Sequence, residues 1–261
     1  MSTDNKPKRK RRPMRRVQVK SIEQLSPRMK RVTFSGEDLA TFNWSGPASH
    51  VKLAFAGTGF DMPERPGPDD PRPPMRTYTP RRFDAEAQEL DIEFVLHGHG
   101  IASTWADQAE VGQWLMVAGP GPGYQINEEA DWYLIAADDT AIPAVSTILE
   151  RLPANSHATV ILEVSDAAEE RTLPANGNVD THWLHRGENI LEADVKLEQA
   201  IRDFEMPSGT GQIYVGCEAG AMRNIRSYLL KERGLDRKMI TTRGYWKIEA
   251  ENHPDHDYGD D

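Results

Sequence analysis

Apolar and polar residues alternate along the first half of the chain with the two-residue period of strands that bury one face. Turn residues such as Ser26-Pro27 separate the alternating segments, and the last segment ends in the run from Gly119 to Gly123. Many short strands divided by turns indicate an antiparallel barrel. The pattern predicts strands at 17–22, 29–34, 50–55, 76–82, 90–96 and 113–118.

The pattern changes after Gly123, where strands begin to alternate with helices. The segment 132–137 is almost continuously apolar, which is typical of a strand buried on both faces of a parallel sheet. Together the segments form the pattern of an open α/β nucleotide-binding domain. Further strands are predicted at 157–164, 181–184, 212–215 and 239–242, and helices after Asp138, at 191–204 and at 219–233.

The length of 261 residues favours two domains over one large domain. We predict a β-barrel domain at 15–125 and an α/β domain at 126–250. Within the first domain, the stretch from Gly57 to Pro74 is rich in proline and glycine and is predicted to be a long surface loop. The segment 1–14 is predicted to be a disordered basic arm, and 251–261 an acidic tail.

Charge is distributed unevenly along the chain. The first twenty residues carry nine Lys or Arg and one acid, so a net charge of −10 for the whole chain leaves −18 on the remainder. A surface that binds a nucleic-acid backbone needs clustered cations. The acidic body therefore argues against nucleic acid as the main partner.

Cys217 is the only cysteine. One cysteine excludes an internal disulfide, a four-cysteine iron–sulfur cluster and a cysteine zinc site, so redox chemistry would come from a bound organic cofactor. The basic arm lacks the apolar segment of a secretory signal, and no stretch of about eighteen apolar residues follows. We therefore expect a cytoplasmic monomer without integral membrane contact.

The segment Met75 to Arg81 combines an arginine, an aromatic residue and a threonine on one predicted strand. Arg76, Tyr78 and Thr79 offer a cation, a ring and a hydroxyl to one flat ligand, which a flavin would satisfy. Arg76 and Arg81 could bind phosphate through the forked guanidinium geometry. The alternative is an ordinary basic edge strand.

The segment from His97 to Ser103 passes from a strand through two glycines into a short predicted helix. Glycine lets the backbone approach a ligand closely, and the free N–H groups at the helix start suit a pyrophosphate. An ordinary glycine turn with a helix cap remains the alternative. His97 and His99 have no third metal-ligand type nearby, so a structural or solvent role is favoured over a metal site.

Ligands of α/β sheets bind at the carboxyl ends of the strands. Three such ends carry polar or small residues, at 138–140, 163–166 and 216–222, but none is a complete G-x-G-x-x-G fingerprint. The segment from Ser165 to Arg171 holds three acids and one arginine. Because a carboxylate suits a ribose diol and a 2'-phosphate needs cations, this segment favours NADH over NADPH.

Several motifs in a fixed order make the chain similar to the siderophore-interacting protein family of ferric-siderophore reductases, within the ferredoxin reductase superfamily. The resemblance covers roughly residues 15 to 250. It implies a six-stranded antiparallel barrel that holds FAD noncovalently, followed by a domain that brings NADH or NADPH to the flavin. The most specific motifs are Arg76-Thr77-Tyr78-Thr79-Pro80-Arg81, His50-Val51-Lys52-Leu53, Ala118-Gly119-Pro120 and Gly244-Tyr245-Trp246-Lys247.

The resemblance also implies site residues. The strand that carries Arg76, Tyr78 and Thr79 would contact the flavin ring and the ribityl phosphate region. The turn that begins at Gly100 would contact the pyrophosphate, and Thr140 and Ala141 would face the flavin across the cleft. Taken alone, each of Lys52 and Lys247 would be interpreted as a solvated surface lysine, but together they match the family's basic substrate pocket. The cofactor contacts so assigned are Arg76, Tyr78, Thr79, Arg81, His97, Gly100, Ala102, Ser103, Thr140 and Ala141.

Two segments depart from the family pattern. Asp138-Asp139-Thr140 stands where the superfamily usually has Gly-Thr-Gly, which leaves the docking of the nicotinamide open. Gly121-Pro122-Gly123 stands where family members often carry a cation, which removes one arm of the usual basic patch.

The function implied by the resemblance is hydride transfer from a reduced nicotinamide to the flavin, followed by single-electron transfer to Fe(III) in a siderophore. No side-chain acid or nucleophile is required, because the cofactor carries the chemistry. Two alternatives stay open. One is a flavin-dependent reductase for a protein partner or free flavin, and the other is a nonenzymatic binding protein.

Overall fold

In the computed structural model of the protein, residues 14–67, 70–71, 73–251 and 253 are described. The first half is an antiparallel sheet with one short helix, α1 (Ile101–Asp107). The predicted basic arm, apart from Met14, and most of the predicted acidic tail lie outside the described residues. The strands are β1 (Met14–Ser26), β2 (Met29–Ser35), β3 (Val51–Gly59), β4 (Met75–Tyr78), β5 (Pro80–Asp84), β6 (Glu89–Val95) and β7 (Trp114–Ala118).

The chain itself joins the two edges of this sheet. Its strand order is β4-β3-β7-β1-β2-β6-β5, and the edge strands β4 and β5 are neighbours in sequence with only Thr79 between them. The predicted strand at 76–82 is two strands in the structure, because the backbone changes at Thr79 from pairing with β3 to pairing with β6. The antiparallel barrel is thus confirmed, with seven strands where six were predicted.

The barrel core consists of the apolar positions that alternate along the strands. Helix α1 adds Trp105, whose ring centroid lies 5.7 to 6.1 Å from those of Phe34, Phe55 and Phe94. Each aromatic pair of this kind adds roughly 0.5–1.5 kcal/mol beyond the burial of its area. The core therefore fixes α1 and, with it, the glycine turn that precedes α1.

The second half is a parallel sheet of five strands in the order β10-β9-β8-β11-β12, which confirms the predicted α/β domain. The strand order reverses between β8 and β11, and the carboxyl ends beside such a reversal are the usual ligand site. The strands are β8 (Trp132–Asp138), β9 (His157–Val164), β10 (Asn178–His185), β11 (Gly211–Glu218) and β12 (Ile240–Trp246), and the helices are α2 (Ile142–Leu149), α3 (Val195–Asp203) and α4 (Ala219–Ser227).

Two helices are shorter than predicted. Helix α3 begins at Val195 because Asp194 has a left-handed backbone with φ of 63°. The Glu163 carboxylate fixes this start, since it accepts hydrogen bonds from the N–H groups of Asp194 and Leu197 at 2.5 and 3.2 Å. Helix α4 ends at Ser227 and continues as one turn of π-helix. The hydrophobic period does not reveal the start of α3, because the acid that sets it is distant in sequence.

The helices α1 to α4 have seven to nine residues each. A transmembrane helix needs about 20 predominantly apolar residues. In the described part of the chain, no helix is long and apolar enough to cross a membrane.

Hydrogen bonds fix the two domains against each other. Ala48, in the loop before β3, donates its N–H to Thr147 Oγ1 at 2.9 Å, and its carbonyl accepts from Arg243 at 2.7 Å. Glu169, after β9, accepts a hydrogen bond of 2.9 Å from the N–H of Arg28. The loop before β3 and the turn between β1 and β2 are therefore both held by the α/β domain.

Candidate functional site

Thr79 lies where the barrel meets the α/β domain. Thr79 is 7% exposed, and its side chain is near enough to Tyr245 on β12 to lower the pKa of that phenol against the larger effect of burial. The Tyr245 hydroxyl is 2.8 Å from the hydroxyl of Tyr214 on β11. The break between β4 and β5 therefore lies near the carboxyl end of the parallel sheet, the edge at which a ligand is expected.

Arg76 and Tyr78 project from one face of β4, where their partners on β3 are buried apolar residues. The ring of Tyr78 lies 4.6 Å from that of Phe94, and burial raises the pKa of its phenol. Arg76 donates to the preceding carbonyl group at 3.0 Å and forms no salt bridge within the described ranges. A guanidinium without a carboxylate partner is suited to bind a phosphate.

Arg81 is engaged by the other domain. Its guanidinium makes two hydrogen bonds to Glu150, of 2.8 and 3.1 Å, and lies 3.8 Å from Glu93. Its side chain is 13% exposed. The structure therefore does not bring Arg81 together with Arg76 as the phosphate fork that the motif predicts, and the predicted cofactor contact of Arg81 remains a prediction.

The glycine turn before α1 has the predicted open backbone. Gly98 and Gly100 have φ of 78° and 77°, and a Cβ at Gly98 would have no atom within 4 Å. Ala102 and Ser103 are buried, and Ser103 Oγ accepts a hydrogen bond of 2.9 Å from the N–H of His97. A ligand would therefore meet the main chain of this turn.

His97 lies in the same turn, and its side chain is exposed. Its ring centroid lies 4.3 Å from that of His99, whose Nδ1 is 2.9 Å from the His97 carbonyl oxygen. Partial desolvation in the turn, with the neighbouring His99, lowers the pKa of His97. Within the part of the chain that the structure describes, no group of three His, Cys, Asp or Glu residues could hold a metal ion.

Asp138 ends β8 at the predicted ligand edge. One carboxylate oxygen accepts from the N–H and the hydroxyl of Thr140 at 2.9 and 2.5 Å, and the other from Trp246 Nε1 at 2.6 Å. Burial, with the charge of Asp139, raises the pKa of Asp138 to about 7. Asp138 thus links the end of β8 to the C-terminal Gly-Tyr-Trp-Lys motif. Ala141 is completely buried, so its side chain is not open to a ligand.

Three further acids at this edge bind backbone N–H groups. Besides Glu163 at α3, Asp194 accepts from the N–H of Glu218 at 2.7 Å, and Glu218 accepts from the first N–H groups of α4, at 3.0 Å for Ala221. Burial raises the pKa of Glu163 and of Asp194. A helix start can bind phosphate, but the start of α4 is already occupied by Glu218.

Sequence reasoning missed the role of Asp194, which it placed inside the helix predicted at 191–204. It also missed the roles of Tyr214 and Tyr245. Tyr245 lies within a recognised motif. Tyr214 lies within an apolar strand, and the neighbouring sequence gives no sign of a hydrogen-bond partner for its hydroxyl. One feature of the sequence did indicate buried polar contacts: an acid such as Glu163 near the end of an apolar strand.

Lys52 and Lys247 lie on segments near Thr79 and Tyr245, respectively. Lys52 is half-buried and pairs with Thr77 on the face of β4 opposite to Arg76 and Tyr78. Thr79 follows Thr77 by two residues. Lys247 follows the last residue of β12, two residues after Tyr245. Lys52 is thus connected to Thr79 through β4, and Lys247 directly follows β12; their role at the substrate site stays a prediction.

The loop after β7 explains the missing cation at Gly121. The N–H of Gly121 donates to the His50 carbonyl at 2.6 Å. A Cβ at Gly121 would lie 2.1 Å from the His50 ring, so any side chain there would displace the imidazole. His50, two residues before Lys52, thus occupies the space beside this loop.

These features fit a phosphate-bearing flavin. Arg76 offers a guanidinium, the turn at Gly98 and Gly100 offers accessible main chain, and Thr79 offers a hydroxyl between them in sequence. The arrangement supplies binding and orientation rather than an acid–base pair.

Comparison with known proteins supports this interpretation. Residues 18–124 match the model of the siderophore-interacting FAD-binding domain, and residues 130–249 match that of the siderophore-interacting protein. Ferric vibriobactin reductase ViuB of Vibrio cholerae is 34% identical over 85% of this chain and 85% of its own length. The NADPH-dependent ferric-chelate reductase of Escherichia coli is 29% identical over 89% of this chain and 92% of its own. An uncharacterized protein of Mycobacterium tuberculosis is 35% identical over 90% and 91%.

Solved structures show the same architecture. A siderophore utilization protein from T. fusca is 37% identical, with a TM-score of 0.83 over 94% of this chain and 96% of that chain. Phthalate dioxygenase reductase, at 13% identity and a TM-score of 0.64 over 92% of this chain and 70% of that chain, shares the fold alone. On the family models and these relatives, the chain belongs to the siderophore-interacting protein family.

Proposed function

We infer that the protein is a FAD-dependent ferric-siderophore reductase, which takes electrons from NADH or NADPH and delivers them to siderophore-bound Fe(III). One observation carries this inference: the predicted flavin strand is docked on the predicted nicotinamide domain, because Arg81 at its end makes two hydrogen bonds to Glu150. The relatives whose names describe ferric reductases support it.

FAD, when bound, supplies the conversion between a two-electron donor and a one-electron acceptor. The chain would hold it with the features described above. Arg76 would donate charge-assisted hydrogen bonds to a phosphate. Tyr78 would present its ring from the barrel core, and the main chain at Gly98 and Gly100 would approach the pyrophosphate.

The nicotinamide nucleotide would bind at the carboxyl ends of β8, β9 and β11. Asp138 holds Thr140 there, and Asp139 is paired with Arg186 at 2.6 Å. After β9, Asp166 is exposed while Glu169 is engaged with the barrel. The exposed carboxylate favours a ribose diol over a 2'-phosphate. We therefore expect NADH as the better donor, although the Escherichia coli relative is NADPH-dependent.

The substrate would be a ferric siderophore that approaches Lys52 and Lys247. A body with a net charge of −18 repels an anionic chelate, so local cations must attract it. Reduction would loosen the chelate, because Fe(II) binds hard oxygen ligands more weakly than Fe(III). The released Fe(II) would then be available for iron acquisition. We expect the protein to act as a cytoplasmic monomer.

Anaerobic mixing tests this function. Protein loaded with FAD is mixed first with NADH, then with a ferric siderophore and an Fe(II) trap, while the flavin absorbance is followed. We expect bleaching by NADH, then recovery of the oxidised band together with formation of the Fe(II) complex. Arg76→Ala without bound FAD should give no Fe(II). Bleaching without recovery would indicate another acceptor, such as a protein partner or free flavin. A protein that binds no flavin would support the nonenzymatic alternative.

A further inference from the structure

The connection between β9 and β10 is held by the other domain. All of its residues are described, and they form one turn of 3-10 helix, Ala167–Glu169, and no α-helix. Parallel neighbouring strands are usually joined through a helix that packs on their own sheet. Other contacts must therefore fix this connection, which begins with the predicted ribose site at Asp166.

Glu169, the last residue of this 3-10 turn, is bound by the barrel. It is 6% exposed. One carboxylate oxygen accepts a hydrogen bond of 2.9 Å from the N–H of Arg28, and the other accepts from the hydroxyl of Ser26. Ser26 is the last residue of β1, and Arg28 lies in the turn before β2. The barrel thus satisfies a buried carboxylate of the α/β domain.

Two ion pairs tie the same region to the barrel. Farther along the connection, Arg171 donates a hydrogen bond of 2.8 Å to Glu93 of β6. The guanidinium of Arg28 pairs with Glu188, in the loop that follows β10. The barrel therefore contacts the loops at the carboxyl ends of both β9 and β10, which is the edge of the sheet where a nucleotide is expected.

Asp166 lies one turn away from the Glu169 contact. Its carboxylate accepts from the N–H of Ala168 at 2.8 Å, and its carbonyl accepts from the N–H of Glu169 at 3.2 Å. The backbone before Asp166 is fixed by its own domain, since the N–H of Gly187 donates to the Ser165 carbonyl at 2.9 Å. The barrel therefore acts on the turn that follows, and a displacement of Glu169 would move the exposed carboxylate of Asp166 with it.

We propose that Glu169 is a positioning residue, which holds the Asp166 carboxylate against the adenosine ribose of the nicotinamide nucleotide. The inference rests on the proposed function, since it takes the segment after β9 as the ribose site. A carboxylate accepts hydrogen bonds from a ribose diol and repels a 2'-phosphate, so discrimination depends on where the carboxylate is held. The choice between NADH and NADPH would then depend on two residues of the flavin barrel, Ser26 and Arg28.

The test measures nucleotide binding and donor choice in the protein loaded with FAD. Calorimetry gives the dissociation constants of ADP-ribose and of its 2'-phosphate, and rapid mixing gives the rates of flavin reduction by NADH and NADPH. For Glu169→Ala, we expect the dissociation constant of ADP-ribose and the KM for NADH to rise about two- to tenfold. The preference for ADP-ribose over its 2'-phosphate should fall by a similar factor. The limiting rate at saturating NADH and the affinity for FAD should stay near wild type.

Three further variants separate positioning from a general loss of packing. Ser26→Ala removes the contact from the barrel side and should shift the same constants in the same direction. Glu169→Gln should retain most of the wild-type affinity, because its amide keeps an acceptor for the N–H of Arg28. In an Asp166→Ser background, Glu169→Ala should have no further effect on donor choice, because the carboxylate that it positions is absent.

Thr147→Val is the matched control. Thr147 Oγ1 accepts a hydrogen bond of 2.9 Å from the N–H of Ala48, so its loss removes a bond between the domains that starts from α2 and not from the connection after β9. This variant should lower Tm and leave the binding of both nucleotides unchanged.

The outcomes separate the positioning role from the proposed function. If Glu169→Ala and Ser26→Ala bind nucleotides as Thr147→Val does, or if the effect of Glu169→Ala persists in the Asp166→Ser background, the positioning role is refuted and the proposed function stands. The same holds if the wild type binds the 2'-phosphate more tightly than ADP-ribose. If neither NADH nor NADPH reduces the flavin of the wild type, both are refuted.

Discussion

Arg171 of the α/β domain donates a hydrogen bond of 2.8 Å to Glu93 of the barrel, a carboxylate that is 1% exposed. Arg31 donates to the same carboxylate at 2.6 Å, and Arg81 lies 3.8 Å away. Burial lowers the pKa of Arg171, and the nearby Arg31 and Arg81 act in the same direction against the attraction of Glu93. One buried acid thus holds three guanidinium groups together at the domain junction.

Replacing Glu93 with Gln should therefore destabilise the protein strongly. The amide would remove the carboxylate shared by three clustered cations, of which Arg31 would keep the exposed Glu23 and Arg81 would keep Glu150. Breaking a buried ion pair in this way costs about 3–5 kcal/mol. Urea unfolding, read as the free energy of unfolding, measures the effect. Glu23→Gln is the control, because Glu23 pairs with Arg31 at 3.2 Å but is 62% exposed, and it should cost at most about 1 kcal/mol. Equal losses for the two variants would contradict the role of Glu93.

The hydrophobic pattern was sufficient to predict the barrel, the parallel sheet and the position of most strands. Strand β9, for example, has the predicted bounds His157–Val164. Periodicity reports which face of a strand is buried, and burial dominates the choice of element. It could not predict the break at Thr79, because both halves of that strand alternate in the same way and only their pairing partners differ.

Side-chain partners across the domain junction were not predictable either. Arg81 was interpreted as a phosphate ligand from its place in the motif, and nothing in the local sequence indicates Glu150 as its partner. The same holds for Tyr214 and Tyr245, which are 31 residues apart in sequence and have hydroxyls 2.8 Å apart. A motif indicates residue type and spacing, whereas the partner of a polar group depends on docking of the two domains.

The raised pKa of Asp138 predicts a stability that falls as the pH rises. A buried acid with a folded pKa of about 7, against 3.8 when exposed, binds its proton more tightly in the folded state. Its favourable contribution is therefore present at acidic pH and is lost between about pH 4 and pH 7. Asp138→Asn should gain stability relative to wild type across this window, by up to about 4 kcal/mol at about 1.4 kcal/mol per pKa unit.

Denaturant unfolding at a series of pH values measures this difference. Asp84→Asn provides a control of opposite sign, because hydrogen bonds from the N–H groups of Ala87 and Glu86 and the charge of Arg82 lower the pKa of Asp84. The loss of stability caused by Asp84→Asn, relative to wild type, should therefore become smaller as the pH falls. A difference between Asp138→Asn and wild type that does not change with pH would show that the pKa of Asp138 is the same in the folded and unfolded states, and would contradict the prediction.

Arg76→Ala should release much of the FAD. A charge-assisted phosphate contact is worth roughly 1.5–3 kcal/mol, or about one to two decades in affinity. Tyr78→Ala should weaken FAD binding less. Fluorescence titration of FAD into the apoprotein measures the dissociation constants. Arg82→Ala serves as the control, since its guanidinium is paired with Asp91 at 2.9 Å, and its FAD affinity should match wild type. Full FAD affinity in Arg76→Ala would remove this strand from the cofactor site.

NADH should be the better electron donor. The predicted ribose site after β9 includes the exposed carboxylate of Asp166, which accepts a hydrogen bond of 2.8 Å from the N–H of Ala168. Steady-state rates with NADH and NADPH at equal concentrations decide the preference. Asp166→Ser should raise the rate with NADPH and so reduce the difference between the rates with NADH and NADPH. The flavin content of this variant should stay unchanged. A large preference of the wild type for NADPH would overturn the prediction.

Removal of both predicted substrate lysines should weaken the binding of an anionic ferric siderophore. The pairs of an anion with the half-buried Lys52 and with the exposed Lys247 should each contribute about 1 kcal/mol and weaken with salt, so Lys52→Ala with Lys247→Ala should raise the apparent KM several-fold at low ionic strength. Flavin reduction by NADH should stay near wild type. Lys231→Ala with Lys238→Ala is the control of equal charge, because both lysines are exposed and precede the start of β12, whereas Lys247 follows its end. Equal increases in KM for the two double variants would show that only the net charge matters. An unchanged KM in Lys52→Ala with Lys247→Ala would remove both residues from the substrate site. Slowed flavin reduction in that variant would assign Lys247 to the nicotinamide side.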